Sequence, residues 1–514
     1  MAKREPIIIT SFTGQAENPH IGFGVNVGVD LYTTKGVARL SRKMQKKSGT
    51  TVTALPLFAI SGSQAAFSHV IWVQDEDNTV YRSTDNGDTW SVLSGNTGST
   101  GAGLTIWQDY LLAFNDTNCC AYGPLSSGSP AWTNNFLGTA LTGNVYHMSI
   151  SVAATVLNIC NGQYIARLTE ISTFNPASGA TFQFEAQAFT MASNYTATNI
   201  AFLPTSSFAI SVLDKNYTSK ADIVIWDGVS TTTASNAINI PGSSGPIIQL
   251  LTKNGIVYAI TDLEHGVYEV NGTSAKLVDR LALRMSNRSS GGKQYTTRVS
   301  SSLYPQGADF LGPELLTIGS SYPTIVSQVS GTGLYPYGIW SVNIENEVIS
   351  LRFPLSFGDI NANYNTSYYG GLIHTVREGR VISGWGKGGT FGIDALSPTD
   401  YITDENTVFV ESECFEVGTR TSPETFQCIE FNIVEPLRSG EEISFYWRSS
   451  LGDDYQAITN GVFTSTNLGT KVSGVITPIP FSAVNFIQIG IKIKTGGTVA
   501  QTPQIISAIL HVND

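Results

Sequence analysis

The chain has 514 residues, of which 13% are charged, 41% are apolar and 50 are glycine. That composition excludes a disordered chain and, at this length, one ordinary core unless the architecture is a single large ring. The net charge is −11, and residues 1–50 hold 8 basic against 3 acidic side chains, so the remainder carries −11 − 5 = −16, which excludes a general nucleic-acid coat or an anionic-membrane binder.

The start, MAKREPIIITSFTG, has neither the long apolar core nor the cleavage pattern of an export signal, and no interior apolar run is long enough to cross a bilayer. Neither export nor a membrane anchor is expected. Residues 1–57 are expected to form an N-terminal assembly arm or adaptor, with a strand candidate at 6–9. In KGVARLSRKMQKK, Lys35, Arg39, Arg42 and Lys46 recur near helical spacing. A helix there would gather them on one face and leave Leu40 and Met44 to pack another. With Lys43 and Lys47 they are candidate assembly contacts for an acidic protein surface. A solvated basic loop is the other reading, and no aromatic interleaving supports direct nucleic-acid contact.

From 58 to 405 the chain offers strand-sized apolar and aromatic pieces between Gly, Asn, Asp and Ser. They include HVIWVQ at 69–74, TVYRS at 79–83, LTIWQDYLLAF at 104–114, QYIARL at 163–168 and DIVIWDG at 222–228. The pairs NGIVYAI and GVYEVNG, the stretch at 337–353 and the stretch at 370–386 read as hairpins. No helical period is sustained and no βαβ spacing occurs. The region is therefore expected to close as a ring of six to eight four-stranded blades, the number left open and a β-helix or stacked sandwiches as alternatives. Residues 406–514 alternate instead. Ile487, Ile489, Ile491 and Ile493 fall on one side of a strand, and Gln488, Gly490, Lys492 and Lys494 on the other, as in a half-buried sandwich strand. The expected fold class is all-β, a β-propeller with an N-terminal arm and a C-terminal antiparallel β-sandwich.

Ser83-Thr84-Asp85-Asn86-Gly87-Asp88-Thr89-Trp90 resembles the Asp-box of sialidase hairpins and related propellers. Ser83, Asp85, Gly87 and Trp90 are its structural residues: Asp85 suits backbone N–H groups, Gly87 a positive φ, and Trp90 packing beneath the hairpin. A sialidase would also need converging arginines and an acid/base pair. Nothing in their spacing groups Arg82, Arg167, Arg280, Arg284 and Arg377. The six histidines are scattered. DEDN at 75–78 and GDD at 452–454 lack the EF-hand pattern, and Cys119-Cys120 lacks a redox-type gap. The five cysteines, including 160, 414 and 428, read as reduced and buried. No catalytic residue, metal or cofactor is expected. Tyr335, Tyr337, Trp340 and Trp385, with Tyr364, Tyr368 and Tyr369, are candidates for a glycan or protein recognition surface, hairpin anchoring being the alternative.

MAKREPIIITSFTG, the Gly-rich segment with KGVARLSRK, the long low-charge β region and SGEEISFYWRS through FIQIGIKIKTGGTVAQTPQIISAIL together resemble tail-associated virion proteins of bacteriophages, over nearly the whole chain. The resemblance implies a propeller-bearing nozzle or tail-hub subunit. Such a subunit would form a homo-oligomeric ring, contact adaptor, portal-proximal and fibre proteins, lie close to DNA in a tail channel, and be assembled in the bacterial host cytoplasm before residing in the virion tail. A host-receptor or carbohydrate-binding tail protein is the alternative, and a sialidase-like glycoside hydrolase a more distant one.

Overall fold

The computed structural model describes residues 7–9, 26–30, 37–49, 52–62, 69–280, 306–320, 337–356, 368–402, 408–449, 455–479, 486–496 and 502–512, with short breaks inside several of these ranges. Among the described residues the fold is all-β, built of repeated four-stranded antiparallel sheets. One short helix, Ser465–Leu468, is capped by the Thr464 side chain.

The N-terminal strands are β1 (Ile7–Ile9), β2 (Asn26–Val27), β3 (Val29–Asp30), β4 (Arg39–Leu40) and β5 (Arg42–Lys46). Sheet 1 follows as β6 (Pro56–Ser61), β7 (Ile71–Asp75), β8 (Val80–Ser83) and β9 (Ser91–Val92). Sheet 2 is β10 (Gly103–Trp107), β11 (Tyr110–Phe114), β12 (Cys119–Gly123) and β13 (Ala131–Thr133). Sheets 3, 4 and 5 occupy 148–190, 195–240 and 247–280, and sheet 6 occupies 308–354. Sheet 7 has three strands of its own, Tyr368–Thr375, Val381–Lys387 and Thr390–Tyr401. Within each of these sheets the strands that follow one another in the chain lie side by side. At the β10–β11 turn both Gln108 and Asp109 have positive φ, 49° and 64°, the backbone of a two-residue hairpin that follows the strand twist.

The seventh sheet takes its fourth strand from the N-terminus. β5 pairs antiparallel with Thr390–Tyr401, with Lys46 opposite Asp394 and Met44 opposite Leu396. Apolar clusters fill the spaces between consecutive sheets all the way round. They run from Trp72 against Leu111 between sheets 1 and 2, through Leu112 against Leu157, Phe189 against Trp226, Ile225 against Val257, Tyr258 against Trp340 and Phe353 against Trp385, to Ile71 against Ile382 between sheets 1 and 7. The circuit is closed and propeller-like. Each sheet is covered on both faces, which explains why β11 reads YLLAF rather than alternating.

Residues beyond 408 are sandwich-like. One sheet orders β1, Ile505–Val512, Phe426–Ile433 and Ser473–Ile476. The other orders Val410–Glu411, Phe486–Lys494, Glu442–Arg448 and Gln456–Thr464. Ile487, Ile489, Ile491 and Ile493 face Ile429, Phe431 and Leu510 in the shared core. The other side of that strand is not open to solvent throughout. Gln488 is buried, and a side chain at Gly490 would meet the Phe409 ring at 2.1 Å.

The described pieces of residues 1–57 do not project as an arm. β1 pairs with Ile505–Val512, β2 lies parallel to Ile349–Pro354 on the edge of sheet 6, and Val29, Ala38 and Leu40 enter the sandwich core. The helix suggested by the basic spacing is absent from 37–49, where the structure has strands. The free edge of Thr390–Tyr401 offers β5 a ladder of backbone partners, and its alternation puts Met44 in the core between Lys43 and Gln45.

Candidate functional site at the closure seam

Two groups singled out in the sequence meet where the circuit closes. In the Asp-box turn between β8 and β9, Asp85 Oδ1 accepts from Thr89 N at 2.8 Å and from Ser83 Oγ at 2.8 Å, and Asp85 Oδ2 accepts from Thr89 Oγ1 at 2.6 Å. Gly87 N donates to Ser83 Oγ at 2.8 Å, and Trp90 Nε1 donates to Gly87 O at 3.2 Å. Gly87 has φ +90°, and a Cβ there would stand 2.6 Å from Ile382 Cδ1 of sheet 7. Burial pushes the Asp85 carboxyl up, but the bonds from Thr89 and Ser83 outweigh it, and the group titrates below its ordinary value.

Asp88, which is not among the four structural residues of the box, reaches across the seam. Arg380, between the first two strands of sheet 7, grips it with Nη2 at 2.6 Å from Oδ1 and Nη1 at 3.2 Å from Oδ2, and Lys47 Nζ lies 3.2 Å from Oδ1. The Arg380 hydrogen bond is the main reason the Asp88 carboxyl is held below its ordinary value, with Lys47 adding to it. Three chain segments, at 47, 88 and 380, thus converge on one carboxylate. Its chemistry is that of a clasp, one carboxylate holding two cations that come from two other segments of the chain.

The remaining basic residues are largely used within the molecule. Arg42 lies over the Tyr401 ring and donates to Thr399 O. Lys46 lies 5.3 Å over the Trp385 ring, and Arg39 pairs with Asp30 at 3.0 Å. Of the five candidates that are described, Lys43 is the exposed one. Lys35 lies outside the described residues.

Trp340 and Trp385, expected on a recognition surface, are 1% and 3% exposed and belong to the layers flanking sheet 6. Trp385 Nε1 donates to Asp394 Oδ1 at 2.7 Å, and Asp394 also accepts from Ser356 N and Oγ. These are core rings because their strands are covered on both faces. Tyr335 and Tyr364 lie outside the described residues, as do the side chains of Tyr337, Tyr368 and Tyr369.

The acidic turn at 75–78 is committed to its own backbone. Asp75 accepts from Thr79 N at 2.7 Å, Asp77 N at 3.1 Å and Tyr81 Oη at 2.8 Å. Burial raises its carboxyl to about 6 despite those bonds. The segment 452–454 lies outside the described residues. Among the described residues no three His, Cys, Asp or Glu side chains gather as a metal-holding group. Arg82 and Arg167 belong to sheets 1 and 3, while Arg284, Arg377 and the Arg280 side chain fall outside the described residues.

Two features escaped sequence reasoning. The first is a buried ionic chain. Arg352 Nη1 meets Asp30 at 2.6 Å, Arg352 Nε meets Glu314 at 3.2 Å, Ser341 Oγ donates to Glu314 at 2.8 Å, and Arg39 also pairs with Asp30. Burial raises the Glu314 carboxyl, with Arg352 opposing. It joins Asp30 and Arg39 to Glu314, Ser341 and Arg352, about three hundred positions later in the sequence, so no local pattern announces it. The second is a pair of cryptic turns in the place the Asp-box occupies, between the third and fourth strands of sheets 4 and 5. Asp227 Oδ1 accepts from Val229 N and Ser230 N, and Asn271 Oδ1 from Thr273 N and Ser274 N. Each is followed by a positive-φ glycine, Gly228 or Gly272, and that Asx-Gly pairing was the available signal.

No protein-family model matches the chain, and no curated protein matches it. Among solved structures, one described as YCF48 bound to D1 peptide aligns with 73% of this chain and 98% of its own at 12% identity and TM-score 0.43. The β-propeller domain of Myceliophteria thermophila Cps50 (Swd1) aligns with 70% of this chain and 100% of its own at 11% identity and TM-score 0.43. The computationally designed Ika8 protein aligns with the same shares at 11% identity and TM-score 0.38.

Proposed function

We infer that the chain is a non-enzymatic structural subunit of a bacteriophage tail, a nozzle or hub component. Its ring would be a seven-bladed β-propeller closed by a strand from the N-terminal segment, with a C-terminal β-sandwich attached. The observation that carries the reading is mechanical. The N-terminal segment supplies β1 and the β3–β4 hairpin to the sandwich, β2 to the edge of sheet 6 and β5 to sheet 7. Hairpin β3–β4 is then tied to sheet 6 by the Asp30–Arg352–Glu314 chain. A body stitched in this way resists both opening and hinging, which suits a wall that must keep its shape while neighbours pull on it.

In the particle the subunit forms a homo-oligomeric ring, meets adaptor, portal-proximal and fibre proteins, and stands near the DNA path. The −16 carried after residue 50 would discourage DNA from adhering during ejection. The chain would be assembled in the bacterial cytoplasm and reside in the virion tail. The receptor-binding alternative loses support from the burial of Trp340 and Trp385. A density map of the native particle at residue resolution tests the reading. Symmetric incorporation with large complementary contacts is the expected result, and a soluble monomer that turns over glycans would overturn it.

A further inference from the structure

Five asparagines in the chain precede a glycine, Asn86, Asn161, Asn254, Asn271 and Asn460, and all lie among the described residues. Such a pair carries a latent reaction. The main-chain nitrogen of the glycine can attack the side-chain carbonyl carbon of the asparagine, and glycine, lacking a Cβ, hinders the approach least. Ring closure needs a side-chain amide held by no hydrogen bond, a glycine nitrogen engaged in none, and a main chain with room to turn. Structure therefore decides which pair reacts.

Most of the pairs lack one of these freedoms. Beside Asn86, Gly87 is buried and its nitrogen donates to Ser83 Oγ at 2.8 Å. Asn161 is 1% exposed, its Oδ1 accepting from Thr142 N at 2.6 Å and Gly143 N at 3.0 Å while Nδ2 donates to Ala186 O at 2.9 Å. Asn271 Oδ1 is held by Thr273 N at 3.1 Å and Ser274 N at 2.9 Å. Asn460 is exposed, but Gly461 is buried, and a Cβ on it would stand 2.8 Å from Ile458 O and 3.3 Å from Phe445 O, so its backbone is crowded by carbonyls.

Asn254 has every freedom the reaction needs. With Gly255 it forms the two-residue turn between the strands Ile247–Lys253 and Ile256–Thr261, at φ 51° and 78°. The closing bonds of such a turn belong to the flanking pair, Lys253 opposite Ile256, and leave Gly255 N outside the ladder. Both turn residues are exposed, and among the described residues no hydrogen bond holds the Asn254 side chain. A Cβ on Gly255 would have Pro204 Cγ, at 3.6 Å, as its one neighbour within contact.

We propose that Asn254 is a site of spontaneous modification, converting to aspartate and isoaspartate while the other Asn-Gly pairs of the folded chain persist. Gly255 N gives its proton to hydroxide and bonds to Asn254 Cγ, the Cγ–Nδ2 bond breaks, and the nitrogen leaves as ammonia. Water then opens the succinimide ring at either carbonyl, and nothing is oxidised or reduced. Each event adds a negative charge. The isoaspartate product also adds a carbon to the main chain of a turn whose length sets the register of its hairpin.

The test incubates the full chain, folded and in urea, at neutral and mildly alkaline pH. Digestion in mild acid and mass spectrometry with electron-transfer fragmentation, which separates isoaspartate from aspartate, then follow each pair. In the folded chain Asn254 should convert at least about tenfold faster than any other, the delay imposed where one or two hydrogen bonds must break first, and its rate should rise with pH. In urea all the pairs should react at similar rates. Asn254→Gln, whose longer side chain closes a ring far more slowly, should remove the acidic species that accumulates on ion exchange. Equal rates for all the pairs in the folded chain, or the same preference for Asn254 in urea, would overturn the proposal.

Discussion

Single side chains in this molecule are placed by turn chemistry first and by charge second. The Asp-box was legible because a turn of that kind needs an acceptor, a positive-φ residue and a ring within eight positions, and all stand together in the sequence. The fate of Trp385 was not legible, since an aromatic in an apolar strand reads alike whether its second face meets solvent or another sheet. Gly87→Ala tests the turn: φ +90° strains any residue with a Cβ, and Ile382 Cδ1, 2.6 Å from the new methyl group, would have to shift. A loss of about 1–3 kcal/mol in denaturant unfolding is expected. Asp75 gives a pH signature of opposite sense to most carboxylates. Burial raises its pKa from 3.8 to about 6, so its contribution is fully present below the unfolded value and is lost as pH rises through the folded one. Asp75→Asn should gain up to about 3 kcal/mol relative to the parent between roughly pH 4 and 6 and then level off. Urea unfolding across that range measures it, and a difference curve that stays flat would reject the assignment.

At the scale of elements, strand existence was readable and strand partnership was not. HVIWVQ, TVYRS and QYIARL all lie on strands because β-branched and aromatic runs between turn residues leave little else to form. That β5 would complete a sheet whose other strands begin over three hundred residues later has no local trace. Its basic spacing pointed instead to a helix. The clasp on Asp88 makes the partnership testable. Asp88→Asn keeps the turn, because Asp85 and Ser83 make the turn bonds, but releases Lys47 and Arg380. Asp88 is about half exposed, so the expected cost is only about 1 kcal/mol, falling further at high salt. Hydrogen exchange should quicken in β5 and in Thr390–Tyr401 while β7 and β8 keep their protection. Uniform quickening through sheet 1 would show that Asp88 serves the turn instead.

For the whole molecule, the low fraction of charge gains a structural meaning from where the buried charges stand. Asp30, Arg352 and Glu314 are each about 5–6% exposed, between the hairpin shared with the sandwich core and sheet 6. A buried ionic chain need not add net stability over an apolar substitute, but removing one member strands the others in a medium that solvates them poorly. Arg352→Gln therefore leaves two enclosed carboxylates, with Arg39 as the remaining cation on Asp30. The expected loss is about 3–5 kcal/mol. It should appear at the junction, as earlier proteolytic cleavage around residues 26–49 and unfolding of the sandwich separately from the ring. Arg352→Met combined with Glu314→Gln and Asp30→Asn removes the three most deeply enclosed charges, leaving only Arg39, which is partly exposed, and should recover much of the stability. Should the single variant instead unfold in one cooperative step at the parental midpoint, the ionic chain would not be what couples the two parts, and the apolar burial of Val29, Ala38 and Leu40 would have to carry that coupling alone.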